Sequence, residues 1–407
     1  MSGHAGVRRV LQVHTRYRQA GGEDRAVEAE RVLLEEAGLD VRQVIFDNAE
    51  LRESRSLIGD LRLGMSTVWS RSAADRVASA IREHRPQVVH VHNTFAAASP
   101  SVYRAAAALG VPVVQTLHNY RSVCPAATLF REGHPCTDCV DLPLPVPAVV
   151  HACVRGSRLQ SAVALATVTT HRALGTYSRH VNRYIALTAF QRRLVVNALP
   201  HNRVVVIPNF LEPDPGQGAE DRSGVLFVGR LSVEKGVAPL LAAVELEPDI
   251  ISVAGDGPLF ESVERAAALG RLRHLGSLGP IDVLDAMKRS IALVVPSVCY
   301  EGFPVVVLEA FATGTPVIAS RIGSLAEVID DGITGLLVEP GDGAALAIQV
   351  RWAVDHPEEM ASIGANARRR YEERYRGPSH LAELLATYEA ATSRPSSTRH
   401  GSDMRRV

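Results

Sequence analysis

The chain has 407 residues, of which 46% are hydrophobic and 22% are charged, and its formal net charge is zero. This composition is typical of a globular enzyme, gives no support to a nucleic-acid partner, and predicts two domains because the length exceeds one hydrophobic core. The first residues lack the apolar segment of a signal peptide, and no apolar run reaches the roughly 18 residues of a membrane-spanning helix, so we expect a cytoplasmic protein.

Short apolar runs alternate with stretches of helical spacing through most of the chain, and this pattern predicts an α/β architecture. Strands are predicted at 7–14, 41–46, 88–92, 113–117, 184–188, 204–208, 225–229, 250–255, 291–295, 317–319 and 335–338, and helices at 23–37, 237–244, 259–269 and 324–329.

A polar stretch rich in proline and glycine, residues 211–222, separates two such series and predicts a linker. We therefore expect two doubly wound, Rossmann-like domains that face a central cleft, at residues 1–210 and 211–378. A helix at 379–392 is expected to pack back on the first domain, and the polar tail at 393–407 is expected to be disordered.

The loop after the first strand contains Gly21 and Gly22. Adjacent glycines let a ligand approach the backbone closely, and the N-terminus of the following helix favours an anion. The spacing is not the Gly-x-Gly-x-x-Gly pattern of dinucleotide sites, and a plain turn between strand and helix is the alternative.

Histidines cluster in the first half of the chain. His90 and His92 lie in one predicted strand, where we expect them to point to opposite sides, and ordinary core histidines are the alternative for both. His118 directly follows the strand at 113–117, at the end where open α/β sheets bind their ligands. Its imidazole is therefore a candidate to contact a sugar hydroxyl or the reacting centre.

Four cysteines share a proline- and glycine-rich insertion at about 121–157. Their spacing is C-x11-C-x2-C-x13-C, and the middle pair has the separation of metal ligands. In a reducing cytosol, metal binding is favoured over structural disulfides, so a structural zinc site is a hypothesis and unligated thiols are the alternative. The four candidate ligands are Cys124, Cys136, Cys139 and Cys153.

A basic stretch interleaved with leucine and valine follows the insertion. Such a surface is a candidate for peripheral contact with anionic lipid head groups, although a solvated charged face is the simpler interpretation. Its arginines are Arg155, Arg158, Arg172, Arg179, Arg183, Arg192 and Arg193.

The loop after the first strand of the second series carries Arg230 and Lys235. The chain has 44 basic residues of which only two are lysines, so a lysine at a strand's carboxyl end favours a role in phosphate contact. Solvated surface charges are the alternative. Gly257 lies in a similar Gly-Asp-Gly-Pro turn after the next strand.

The most informative segment begins with Glu301 and ends with Glu309, after the buried strand at 291–295. The two carboxylates are predicted to lie on nearly one face and can accept hydrogen bonds from neutral hydroxyls. The backbone amides from Gly302 through Phe303 and Pro304 to Val305 are expected to face an anion. Together these contacts suit a nucleotide sugar.

These motifs, in this order, resemble those of the retaining glycosyltransferases of family 4, which have the GT-B fold. The resemblance extends from the first strand to about residue 340 and rests most specifically on the Glu301 to Glu309 segment with the Gly-Arg-Leu-Ser-Val-Glu-Lys-Gly loop at 229–236. The Ile-Pro-Asn segment ending at Asn209 corroborates it, although Phe210 stands where the family usually has glycine. The cysteine insertion resembles one found in a subset of the family.

The resemblance implies a donor site and a catalytic set. Arg230 and Lys235 would bind and neutralise the donor diphosphate, Glu309 would hold the ribose, and Glu301 and His118 would contact the transferred sugar. The expected donor is a UDP- or GDP-sugar, the expected acceptor is a glycan or a lipid-linked molecule, and no metal or other cofactor is expected to be required for catalysis. A GT-B-type epimerase or phosphorylase is the alternative enzyme, and a non-enzymatic binding module structured by zinc is the alternative of a different class.

Overall fold

The computed structural model describes residues 6–17, 21–50, 57–218 and 221–393. Nearly all of the predicted tail and part of the predicted linker, residues 219–220, lie outside the described residues. No described helix is both long and apolar enough to cross a membrane.

The first sheet has six parallel strands in the order β2-β1-β3-β4-β7-β8. Their side chains are largely buried on both faces, as expected for a parallel sheet covered by helices. The strands are β1 (Arg9–Arg16), β2 (Asp40–Asp47), β3 (Val88–Val91), β4 (Val113–Leu117), β7 (Arg183–Ala186) and β8 (Val204–Val206).

Eight helices lie between or beside these strands in the described part of residues 1–210. Several begin at capping residues, and Ser70, for example, accepts a hydrogen bond from the amide of Ala73 at the start of α3. The helices are α1 (Gly22–Glu36), α2 (Leu57–Val68), α3 (Arg71–His84), α4 (Ser101–Ala108), α5 (Pro147–Val150), α6 (Arg158–Ala173), α7 (Thr176–His180) and α8 (Ala189–Val195). A 3-10 turn at His201–Arg203 precedes β8.

The second sheet also has six parallel strands, in the order β11-β10-β9-β12-β13-β14. The strands are β9 (Val225–Val228), β10 (Ile251–Ala254), β11 (Arg273–His274), β12 (Ala292–Val295), β13 (Val317–Ser320) and β14 (Gly335–Val338). The helices are α9 (Val237–Leu246), α10 (Phe260–Ala268), α11 (Pro280–Arg289), α12 (Val305–Ala312), α13 (Leu325–Val328), α14 (Gly343–Asp355) and α15 (Pro357–Arg374). The predicted fold, two doubly wound α/β domains, is confirmed.

The last helix, α16 (Gly377–Thr392), returns to the first sheet. Leu384 and Tyr388 are buried against Val10, Val88 and Val114 of that sheet. The phenol of Tyr388 also lies 2.8 Å from Nδ1 of His90. The chain thus crosses between the two sheets twice.

The two crossovers lie side by side and are joined by hydrogen bonds. The amide of Leu211 donates to the carbonyl of Tyr375, and the carboxylate of Glu212 accepts from the amide of Gly377 and the guanidinium of Arg376. The two chain segments between the sheets are therefore one connected structural unit.

The cysteine insertion has little regular structure. It contains the two-residue strands β5 (Phe130–Arg131) and β6 (His134–Pro135), which pair antiparallel, and the single turn of α5.

Candidate active site

Glu301 lies in the loop between β12 and α12. Its Oε1 accepts hydrogen bonds from Nζ of Lys235, at 2.6 Å, and from the hydroxyl of Ser297, at 2.8 Å. Burial opposes ionisation of this carboxyl, but the charge and hydrogen bonds of its partners outweigh burial and hold the pKa of Glu301 below its ordinary value. Glu301 is therefore an ionised, firmly held acceptor.

Lys235 comes from the loop between β9 and α9. Burial opposes its charge, but the carboxylate of Glu301 more than compensates and raises the pKa of Lys235. An ammonium group has three donors, and its side chain is 34% exposed, so donors remain for a ligand oxygen. Arg230, in the same loop, is exposed, and its guanidinium has no partner among the described residues.

Glu309 lies on α12 and is buried, with only 6% of its side chain exposed. Its Oε1 accepts a hydrogen bond from Nη1 of Arg25, on α1 of the first domain, at 2.9 Å. Burial raises the pKa of Glu309, and Arg25 counteracts that shift only in part. The carboxylate predicted to hold a ribose is therefore occupied by an arginine from across the cleft.

The sequence predictions missed Arg25. Its residue type is the commonest basic one in this chain and its side chain is 52% exposed, so nothing in the sequence distinguishes it from a solvated arginine.

Two glycines bring the domains into close approach. A β-carbon added to Gly22 would lie 3.2 Å from Cγ2 of Val305, the first residue of α12. A β-carbon added to Gly302 would lie 2.8 Å from the carbonyl oxygen of His118. The predicted anion loop of the first domain therefore faces the N-terminus of α12 across the cleft. The hydroxyl of Tyr120 joins the same two segments by donating to the carbonyl of Glu301 at 2.8 Å.

His118 stands at the end of a buried imidazole chain. Its Nε2 lies 3.0 Å from Nδ1 of His92, and Nε2 of His92 lies 3.4 Å from Oε1 of Glu30 on α1. The expectation that His90 and His92 point to opposite sides is wrong, because residues two apart in a strand share a face and both rings contact Glu30.

The hydrogen bonds of this imidazole chain have a preferred direction of donation. Burial opposes ionisation of Glu30, but the adjacent imidazoles of His90 and His92 outweigh it and hold the pKa of Glu30 well below its ordinary value. Burial lowers the pKa of His92 to about 4 and that of His118 well below its ordinary value, so both rings are neutral at pH 7. Nε2 of His92 faces the Glu30 carboxylate at 3.4 Å without a hydrogen bond, and a proton is favoured on the nitrogen nearest that negative charge. With the proton on Nε2, Nδ1 of His92 must accept from His118, and Nδ1 of His118 is left as an acceptor.

The same residues form a candidate cation cluster. Among the described residues, only Glu30, His90 and His92 bring three ligand atoms within 4.8 Å of one another. Hydrogen bonds join Glu30 to Gln12, and His90 to Thr116 and Tyr388. His92 is bonded to His118 through Nδ1, while its buried Nε2 has no hydrogen-bond partner among the described residues.

The remaining residues that were predicted to bind the nucleotide-sugar donor lie at the cleft edge of the second domain or near it. Phe303 is buried with its ring against Tyr375, so only its backbone can contact a ligand. Pro304 has no backbone N–H, and its predicted role as an amide donor is wrong on that ground. Gly257 packs against the loop after β9, because an added β-carbon would lie 2.6 Å from the carbonyl oxygen of Leu231.

The two other predicted positions lie outside the second domain's loops. Gly21 precedes α1 and is exposed, and its amide donates to Oδ2 of Asp24. Asn209 is buried at the first crossover. The four cysteines of the insertion do not lie at this cleft but around a cavity of their own.

Two family models match the chain. The model described as Glycosyltransferase Family 4 matches residues 20–215, and the model described as Glycosyl transferases group 1 matches residues 212–370.

Similar proteins include curated relatives and solved structures. An uncharacterized glycosyltransferase of Methanocaldococcus jannaschii is 32% identical over 170 residues, which cover 41% of this chain and 48% of the relative. A phosphatidyl-myo-inositol mannosyltransferase of Mycolicibacterium smegmatis is 31% identical over 234 residues, which cover 54% of this chain and 60% of the relative. The chain thus spans about half the length of these relatives.

The crystal structure of Anabaena Alr3699/HepE in complex with UDP-glucose has a similar fold, with a TM-score of 0.66 at 18% identity. The similarity covers 94% of this chain and 99% of that chain. This likeness shows the GT-B fold. The two family models, which match adjoining parts of the chain in the expected order, show that the chain belongs to the family-4-like glycosyltransferases of that fold.

Proposed function

We propose that this protein transfers a sugar from a nucleotide-sugar donor to an acceptor hydroxyl, with retention of configuration at the anomeric carbon. The observation that carries this proposal is the ion pair of Lys235 and Glu301, which lies beside the N-terminus of α12 and opposite Gly22 and His118. A cation with free donors next to a fixed acceptor suits a ligand that is both phosphorylated and hydroxylated.

The residues divide into two groups by chemistry. Arg230 and Lys235 bind the diphosphate and neutralise the charge that develops as it leaves. Glu309 accepts hydrogen bonds from the ribose, and it exchanges Arg25 for those hydroxyls. Glu301 and Nδ1 of His118 accept from hydroxyls of the transferred sugar.

Retention follows from same-face attack in this proposal. The acceptor oxygen forms a bond to the anomeric carbon as the bond from that carbon to the phosphate oxygen breaks, and the departing phosphate takes the acceptor's proton. Covalent retention needs a free carboxylate nucleophile. Glu301 is held by Lys235 and Ser297, and Glu309 is held by Arg25 before the donor binds and, in this proposal, by the ribose afterwards, so neither carboxylate is free to attack.

A UDP- or GDP-sugar is the proposed donor. The UDP-glucose bound to the Anabaena protein of similar fold supports a UDP-sugar in particular. A glycan or a lipid-linked molecule is the proposed acceptor, since one relative is named for the lipid phosphatidyl-myo-inositol. Catalysis is proposed to need no metal, because Arg230 and Lys235 supply the positive charge.

A peripheral contact with the cytoplasmic face of a membrane is part of the same proposal. Leu144, Val150 and Leu159 are between 54% and 65% exposed around α5 and the start of α6, next to the basic Arg155 and Arg158. Exposed aliphatic groups among arginines suit an anionic lipid surface. Arg172, from the same basic stretch, points inward and donates to the carbonyl of Ser122, so it does not belong to this surface.

Calorimetric binding of UDP-, GDP-, ADP- and TDP-sugars tests the donor site, with Lys235→Ala as the matched variant. We expect one nucleotide class to bind and Lys235→Ala to lose that binding. Folded protein that binds none of them would refute the proposal. Incubation of the bound donor with and without candidate acceptors then separates transfer from epimerisation or phosphorolysis.

A further inference from the structure

The four cysteines of the insertion converge on one small cavity. Its volume is about 10 Å³, close to the space of one water molecule, and Ala126, Phe130, Pro147 and Ala148 complete most of its wall. None of the thiols forms a disulfide. The insertion therefore brings four sulfur ligands, and no other thiol, around a hole of roughly the size that an ion needs.

Each sulfur is carried by a turn that backbone hydrogen bonds fix. The amides of Cys124, Cys136 and Cys153 donate to the carbonyls of Tyr120, Leu129 and Ala148 at 2.8 to 2.9 Å. Cys139 follows Cys136 after two residues, with the hairpin of β5 and β6 just before them. The separation of Cys136 and Cys139 is a ligand spacing of structural zinc sites, and Cys124 and Cys153 supply the two further thiols.

The backbone of the insertion requires a strong constraint. Six of the nine non-glycine residues with positive φ in the described chain lie in this segment, with φ between 48° and 69°. They are Ala127, Leu129, Glu132, Asp141, Ala152 and Arg155. Left-handed conformations at such residues are costly and persist only where the surroundings determine them.

Regular structure in the insertion is too sparse to supply that constraint. The regular structure of the insertion is two two-residue strands and one helical turn, and short irregular segments of this kind are often held by disulfides or by a metal. We propose that Cys124, Cys136, Cys139 and Cys153 bind one Zn²⁺ ion as a structural site.

Binding would draw the sulfurs together. Zinc–sulfur bonds of about 2.3 Å set neighbouring sulfurs about 3.8 Å apart in a tetrahedron. The four sulfurs are spread more widely than this, because no three of them, among the described residues, lie within 4.8 Å of one another. Rotation of the thiol side chains into the cavity closes the site, and the four thiols release their protons as four Zn–S bonds form.

The site would brace the candidate active site. The turn that begins at Tyr120 contains Cys124. The backbone amide of Tyr120 also donates a hydrogen bond to the carbonyl of Ala127, in the same segment. The Tyr120 hydroxyl holds the carbonyl of Glu301 across the cleft. This part of the inference rests on the proposed function, whereas the metal content does not.

Metal analysis of the tag-free full chain by inductively coupled plasma mass spectrometry is the direct test. We expect about one zinc per chain, lost in Cys136→Ser and Cys139→Ser and retained in Cys299→Ser, because Cys299 lies in the second domain away from the cavity. Cobalt substituted for zinc should give the thiolate charge-transfer and strong d–d absorption of a tetrahedral sulfur site.

A second measurement protects the test against variants that fail to fold. Wild-type protein treated with a chelator should release zinc, expose four additional thiols to Ellman's reagent and melt at a lower temperature, and added zinc should reverse all three. Three results would overturn the proposal. They are metal-free protein that stays folded and melts at the same temperature as untreated protein, iron bound in place of zinc, or a mass lower by two hydrogen atoms for each disulfide formed. If zinc is bound but donors are not, the structural site stands and the proposed function fails.

Discussion

Removal of the Lys235 charge is the sharpest test of the ion pair at the cleft. Lys235→Met keeps the length of the side chain but leaves the carboxylate of Glu301, 13% exposed, with Ser297 as its remaining partner. Breaking a fully buried pair costs about 3–5 kcal/mol, and partial exposure of Lys235 reduces the expected cost to about 2–3 kcal/mol.

The matching change, Glu301→Gln, should cost less because the ammonium group left behind can reach water. We expect Glu301→Gln to lower the free energy of unfolding by about 1–2 kcal/mol. The double variant should lose about 1–2 kcal/mol less than the sum of the two single losses. Lost charge-assisted hydrogen bonds to the diphosphate should weaken donor binding of Lys235→Met by about 10- to 100-fold.

Urea unfolding followed by tryptophan fluorescence measures these costs. The chain has two tryptophans, Trp69 in the first domain and Trp352 on α14 in the second, so a Trp69→Phe background reports the second domain alone. This matters because a two-domain chain need not unfold in one step. Additive costs of the single changes would refute the ion pair, and unchanged donor affinity would refute its role in binding.

Three other perturbations follow from the described contacts. Arg25→Ala should release Glu309 and tighten nucleoside diphosphate binding by up to about fivefold, since a half-exposed pair is worth about 0–1 kcal/mol; weaker binding by calorimetry would instead make Arg25 a ligand contact. Gly302→Ala places a methyl group against the carbonyl of His118 and should enlarge the radius of gyration in small-angle scattering; an unchanged radius would contradict the close approach. The pKa of Glu301 is held below its unfolded value of about 4.5, so its contribution to stability is complete above that pH and is lost as pH falls through the folded pKa. Lys235→Met should therefore reduce the loss of unfolding free energy at acid pH, measured by urea unfolding across pH. An unchanged loss would assign it to other carboxyls.

Most of the sheet framework was predictable from the sequence. The predicted strands at 113–117 and 335–338 coincide with β4 and β14, and the other main strands differ by one or two residues at their ends. Apolar runs bounded by polar loops specify buried parallel strands well. The two-residue strand β11 has no periodicity and could not be recognised.

Contacts across the cleft were beyond the sequence. Arg25 and Glu309 are 284 residues apart, and no local pattern records their pairing. The imidazole chain was missed for a different reason. The wrong side was assigned to His90 relative to His92, although the two-residue period of a strand already places both rings together. Glu30 lies within the helix predicted at 23–37, and nothing in that segment records its contact with His380 of α16, at 3.6 Å.

The return of α16 makes the first domain discontinuous in the chain. The apolar face of its sheet that α16 covers stays exposed until Leu384 and Tyr388 have been synthesised, more than 170 residues after the last strand of that sheet. During translation the second domain can therefore finish folding first, while Val10, Val88 and Val114 of the first domain are still exposed. A fragment ending at residue 210 should therefore aggregate, and co-expression of the segment 377–392 should restore its solubility.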